Sequence, residues 1–294
     1  MWVDEAAMAV ASYLPRSVKS VARRLLFKNC HPAHVGLRGQ GAVQDLYYCV
    51  ADGRLDTLLP IQNYFSVFYP MLDTSTSGSL SVFDSQGAPV GRKEFAVGRL
   101  ACLKFRLSHL LKEFGRTPSR DFEYGTLVCN IELPAGVRKA IADSGPFYFW
   151  DRFYIGYLNQ AGQPTFVHGV DKTLIYHAGH DEPSRWYPPA RSYQWAPEIP
   201  VNIDEYARFT VVMLNRVSRP AKVRLVVLDT DDRSRQWEAT IQPNGVHRFE
   251  LTPANTAGLE PRELRLRVEG MATQWGRPLV FKEFANGAIS VMHC

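Results

Sequence analysis

Strand-like segments recur in one order along this chain, and a recurring order of strands restricts the fold more than any single motif does. Residues 80–177 and 223–293 run through the same series at nearly the same spacing. In the first run LSVFDSQG (80–87) leads through a polar stretch to LKFRL (103–107); in the second VRLVVLDTDD (223–232) leads to VHRFEL (246–251). Next comes an alternating segment, FYIGYL (153–158) or LRLRVEG (264–270). A Gly-x-Pro turn follows, Gly162-Gln163-Pro164 or Gly276-Arg277-Pro278, and two more strands close on His177 or His293. Apolar and polar residues alternating with period two fit half-buried strands. Helical crossovers between the strands are lacking, which points to antiparallel pairing. The expected fold is mainly β: two tandem antiparallel β-sandwich domains from an internal duplication, with an N-terminal amphipathic helix.

That organisation divides the chain into residues 1–41, a helical segment and loop; 42–181, the first sandwich; 182–206, a connector; and 207–294, the second sandwich. The helix is expected over residues 17–27, where Val18, Val21, Ala22, Leu25 and Leu26 fall at i, i+3, i+4, i+7 and i+8 among Arg16, Lys19, Arg23, Arg24 and Lys28. The aromatic run NYFSVFYPML (63–72) carries a β signal, and the turn TSTSG (74–78) follows it. Residues 108–146 look like material the second run lacks, with short helices at 109–114 and 136–143. Two apolar strands flank NRVSRP (215–220) in the manner of a hairpin.

Charge and cysteines exclude several classes. The net charge of +5 is mild for 294 residues and the basic residues are scattered among Asp and Glu, so nucleic acid is not an expected partner. The five cysteines, Cys30, Cys49, Cys102, Cys129 and Cys294, form no CxxC pair and read as free buried thiols. The opening MWVDEAAMAV has no basic n-region, and no stretch reaches the ~18 apolar residues of a membrane span. A cytoplasmic setting is the expectation.

Chemistry-bearing residues are sparse. GxSxG, Walker, HExxH and GxGxxG signatures are missing. The sharpest cluster is His168, His177, His180 and Asp181, the ligand types of a divalent transition metal, although a His closing each run (His177, His293) also suits a structural hydrogen bonder. Without a gap after the Gly-x-Pro turn, His168 aligns with Lys282. His293 and Cys294 are neighbours on a strand and point to opposite faces, and Cys30, His31 and His34 form only a loose set. Asp121, Glu123, Asp229, Asp231 and Asp232 read as turn carboxylates. In the connector, Trp186, Tyr187, Tyr193 and Trp195 could stack on a sugar or apolar ligand, or simply pack between the sandwiches.

The sequence therefore predicts a non-catalytic binding or assembly protein that uses an inter-domain groove and the N-terminal helix. Its partner would be a small-molecule or protein ligand, with peripheral membrane contact through residues 1–28 and homo-oligomerisation as further options. The alternative is a metal-dependent enzyme centred on the histidines after the first sandwich.

Overall fold

The computed structural model describes residues 29–30, 41–144, 154–169, 173–175, 200–216, 219–270 and 278–293. The N-terminal helix expected within residues 1–28 lies outside them, as do His31, His34, Gly276 and Cys294. The first half contains β1 (Asn29–Cys30), β2 (Ala42–Val50), β3 (Asp56–Gln62), α1 (Phe65–Phe68), β4 (Thr76–Asp84), β5 (Pro89–Val97), β6 (Cys102–Arg106), α2 (Leu107–Glu113), β7 (Tyr124–Glu132), α3 (Ala135–Ser144), β8 (Tyr154–Leu158), β9 (Pro164–His168) and β10 (Thr173–Ile175). The second contains a 3-10 turn (Ile203–Glu205), β11 (Arg208–Leu214), β12 (Ala221–Leu228), β13 (Ser234–Ile241), β14 (Val246–Leu251), β15 (Arg265–Glu269), β16 (Leu279–Glu283) and β17 (Ile289–His293).

These strands form four antiparallel sheets, so the protein is mainly β and sandwich-like, as the alternation predicts. Their orders are β1-β10-β2-β7-β4-β5, β6-β3-β8-β9, β14-β11-β16-β17 and β13-β12-β15. One pattern of pairing occurs in both halves. In the first, β3 lies between β6 and β8, β4 lies between β5 and β7, and β9 borders β8. In the second, β11 lies between β14 and β16, β12 between β13 and β15, and β17 borders β16.

This pairing shifts the sequence alignment by one strand. β15 corresponds to β7, not to β8, so the span 108–146 contains a central strand as well as the two expected short helices. His293 then matches His168: they sit opposite Leu279 and Tyr154 at the ends of β17 and β9. Lys282, opposite Phe209, matches Tyr157, opposite Thr57.

Two further expectations change. β11 and β12 do not form a hairpin, because they belong to different sheets and residues 215–220 carry the chain between them. Residues 63–72 do not form a strand; they hold α1 and a loop, since Tyr64 already has helical backbone angles and Pro70 lacks an N–H for a ladder.

Matching side chains brace both inter-sheet connections. Asn63 donates from Nδ2 to the carbonyls of Thr74 (2.7 Å) and Gly98 (3.0 Å), and its N–H reaches the Ala101 carbonyl (3.0 Å). Asn215 donates to the carbonyls of Arg219 (2.8 Å) and Ile241 (2.9 Å), and its N–H reaches Gly245 (3.0 Å). Both side chains are buried.

Two hydrophobic clusters hold the layers together. The smaller lies within the second half, where Phe209, Val211, Met213 and Val280 meet Leu225, Val227, Leu266 and Val268. The larger fills the first half but also takes in Val212, Leu214, Leu279 and Phe281. Alternate residues of β11 and β16 thus enter different cores, and the sheet they share is covered on both faces.

Candidate functional site

The metal cluster expected from the sequence is represented in the described residues by His168 alone. His177, His180 and Asp181 lie outside them, as do Trp186, Tyr187, Tyr193 and Trp195. His168 is half-buried at the end of β9, with Nδ1 3.0 Å from the Gly169 carbonyl oxygen and its ring edge-on to Tyr154. Behind it a side chain at Gly169 would collide with the buried carboxylate of Asp45, at 2.2 Å. Among the described residues no three His, Cys, Asp or Glu side chains are grouped to hold a metal. Cys49 and Cys129 are buried and outside any disulfide, as expected, and burial raises the Cys49 pKa, whereas Cys102 is exposed.

Where the two halves meet, the described contact is filled. Phe281 packs edge-on against Tyr48 (5.2 Å between ring centres) and Tyr157 (4.8 Å), whose hydroxyl donates to the Tyr48 carbonyl. The Arg248 guanidinium stacks 3.7 Å above the Tyr124 ring, and Arg54 bridges Asp52 and Glu283 at 2.7 and 2.6 Å. The main chain also joins, through Val246 N–H to the Ser85 carbonyl at 3.0 Å. Such packing supports rigidity at this contact.

The carboxylates named from sequence serve turns. Asp229 Oδ1 accepts from the N–H groups of Asp231 and Arg233, and Oδ2 takes Arg233 Nε at 2.7 Å. Burial raises the cost of its charge, but the N–H groups of Glu260, Arg233 and Asp231 and the Arg233 side chain outweigh it, so its pKa is lowered. Arg120 and the Thr117 N–H together hold Asp121 at about 2. Two recesses occupy matching outer faces, one between β4 and β5 and one between β12 and β13. Their charges are ladder pairs at the surface, such as Arg224 with Glu269 at 3.0 Å.

An apolar tip at one end of the first half is a different kind of feature. Val67, Phe68 and Met71 from the β3–β4 loop and Leu100 from the β5–β6 turn are 66, 42, 92 and 72% exposed. The loop beneath them is firmly tied. Phe65 and Ser66 are buried, and Ser66 Oγ lies 2.7 Å from Thr74 Oγ1 and accepts from the Leu100 N–H at 2.9 Å. Tyr64, Tyr69 and Leu72 pack on the core, and Arg99 donates to the Pro70 carbonyl. Burial raises the Tyr69 pKa.

Leu100 also has φ +58°, in the left-handed region, which costs a leucine on the order of 1 kcal/mol. Asn244, in the matching turn, has the same φ, and asparagine tolerates it. No residue pattern announces this tip, because β-propensity at residues 63–72 points to a strand that would bury these side chains.

No protein-family model matches the chain, and no curated protein does. Among solved structures, similarity extends to a β-glucuronidase from glycoside hydrolase family 2 (8% identity, TM-score 0.19). It also extends to a calcium-binding mutant of Bacteroides uniformis β-glucuronidase 2 (12%, 0.16) and to that enzyme covalently bound to cyclophellitol-6-carboxylate aziridine (13%, 0.17). The alignments cover 86% of this chain but only 24, 26 and 26% of those chains. Superposition this poor carries no argument about fold or activity.

Proposed function

We propose that this chain is a non-catalytic binding or assembly protein, built on two tandem β-sandwiches that arose by internal duplication. Duplication is supported by the recurring strand pairing, by Asn63 and Asn215 in one role, and by His168 and His293 at one position. The observation that carries the binding reading is the tip of Val67, Phe68, Met71 and Leu100. Four large apolar side chains gathered in water on a braced loop contribute little to folding, and such patches serve contact with another surface. Recognition is thereby assigned to the tip, since Phe281, Tyr48 and Tyr157 fill the described contact between the halves.

Metal analysis of protein purified without an affinity tag tests this reading. The expected result is no stoichiometric zinc, copper or iron. Stoichiometric metal that disappears in a His177→Ala, His180→Ala variant would overturn it in favour of a metal-dependent enzyme.

A further inference from the structure

We propose that the tip formed by residues 64–72 and Leu100 is a membrane-insertion surface whose partner is an anionic lipid bilayer. This rests on the binding reading above and names the partner. Val67, Met71 and Leu100 stand out from the loop end at 66, 92 and 72% exposure, and apolar side chains that protrude so far suit insertion between lipid headgroups.

Charge selects the kind of lipid. Arg99 is exposed beside Leu100, and the first turn of α3 runs near Leu72, which a Cβ at Gly136 would meet at 3.7 Å, with Arg138 and Lys139 exposed. Asp73 is the carboxylate beside them. Ionised beside the Ser75 N–H and Arg99, it offsets one of these three cations and leaves the other two as an excess at the level where phosphates would lie. A symmetric pair of chains meeting at this end would bring these cations against their own copies, so a second copy is the poorer occupant.

Leu100 adds an independent argument. A leucine that accepts a left-handed backbone and remains exposed costs stability, and strain of this kind gathers at functional surfaces. The corresponding residue of the second half is Asn244, and the corresponding connection, residues 215–220, is short and polar. The basic apolar pattern of residues 17–28 would supply a second weak contact of the same class, and stable peripheral anchoring generally takes two.

Co-sedimentation of the full chain with phosphatidylcholine vesicles, with and without phosphatidylserine, tests the proposal. The protein is expected to partition onto the phosphatidylserine vesicles. A Val67→Ser, Met71→Ser variant should lower that partitioning about tenfold or more, from the apolar area withdrawn. Arg99→Gln with Lys139→Gln should weaken the dependence on phosphatidylserine. Leu100→Asn should lower partitioning while keeping or raising the thermal midpoint, a combination that loss of structure cannot produce.

Absence of wild-type partitioning overturns the proposal. So does equal partitioning by the tip variants, which would assign the contact to another segment and leave the binding reading standing. If sedimentation velocity finds self-association that the tip variants abolish while vesicle binding persists, the occupant is a second copy and the lipid proposal fails.

Discussion

Asn63 and Asn215 each place one side-chain amide between two carbonyl groups of separate connections. Alanine at either position takes the donor from one buried carbonyl, that of Thr74 or Ile241, and from one part-buried carbonyl, that of Gly98 or Arg219, for an expected loss of about 1–3 kcal/mol per site. Thermal or urea unfolding of Asn63→Ala and Asn215→Ala should reveal losses of similar size in the two halves, because each amide ties together corresponding connections. A loss at one site only would mean that the connections are braced differently despite their likeness. Neither residue was visible as a brace in the sequence. An asparagine after a strand reads as an ordinary turn former, and the distant partners, Gly98 for Asn63 and Ile241 for Asn215, are set by tertiary structure.

Turns between elements were more legible than the elements' partners. Asp84 and Asp229 end β4 and β12, and each accepts N–H groups two and four residues on, those of Gln86 and Ala88 or of Asp231 and Arg233. The third position after each takes a positive φ, at Gly87 (+81°) and Asp232 (+59°). Aspartate and glycine announce such geometry in the residues themselves, so the match of residues 80–87 with 223–232 was readable. Which strand pairs with which depends on long-range register. A match by alternation alone therefore skips β7, whose buried run Tyr124–Glu132 lacks it.

The Asp229 turn has a pH signature. Its folded pKa lies below the usual carboxylate value, so its contribution is present above that value and is lost as pH falls through the folded one. Asp229→Asn should therefore lower the thermal midpoint at about pH 7 and shrink its decline toward about pH 3. A variant whose midpoint tracks the wild type at both ends would show that the carboxylate charge adds nothing.

At the scale of the whole molecule, the two halves share a hydrophobic cluster, and this predicts how they unfold. Val212, Leu214, Leu279 and Phe281 belong to second-half strands but pack among first-half side chains. Losing either half would expose that face of β11 and β16, so calorimetry should give one cooperative transition for the wild type. Phe281→Ala empties the meeting point of Tyr48 and Tyr157 and should cost about 3–5 kcal/mol. With Arg248→Ala added, which removes the cation over Tyr124, the single transition should broaden or divide as the halves uncouple. Met71→Ser supplies the contrast: at 92% exposure it should stay within about 0.5 kcal/mol of wild type. Sensitivity at Phe281 together with indifference at Met71 would separate the side chains that hold the halves together from those the fold holds out to solvent. Equal sensitivity at both would mean that the tip is part of the core after all.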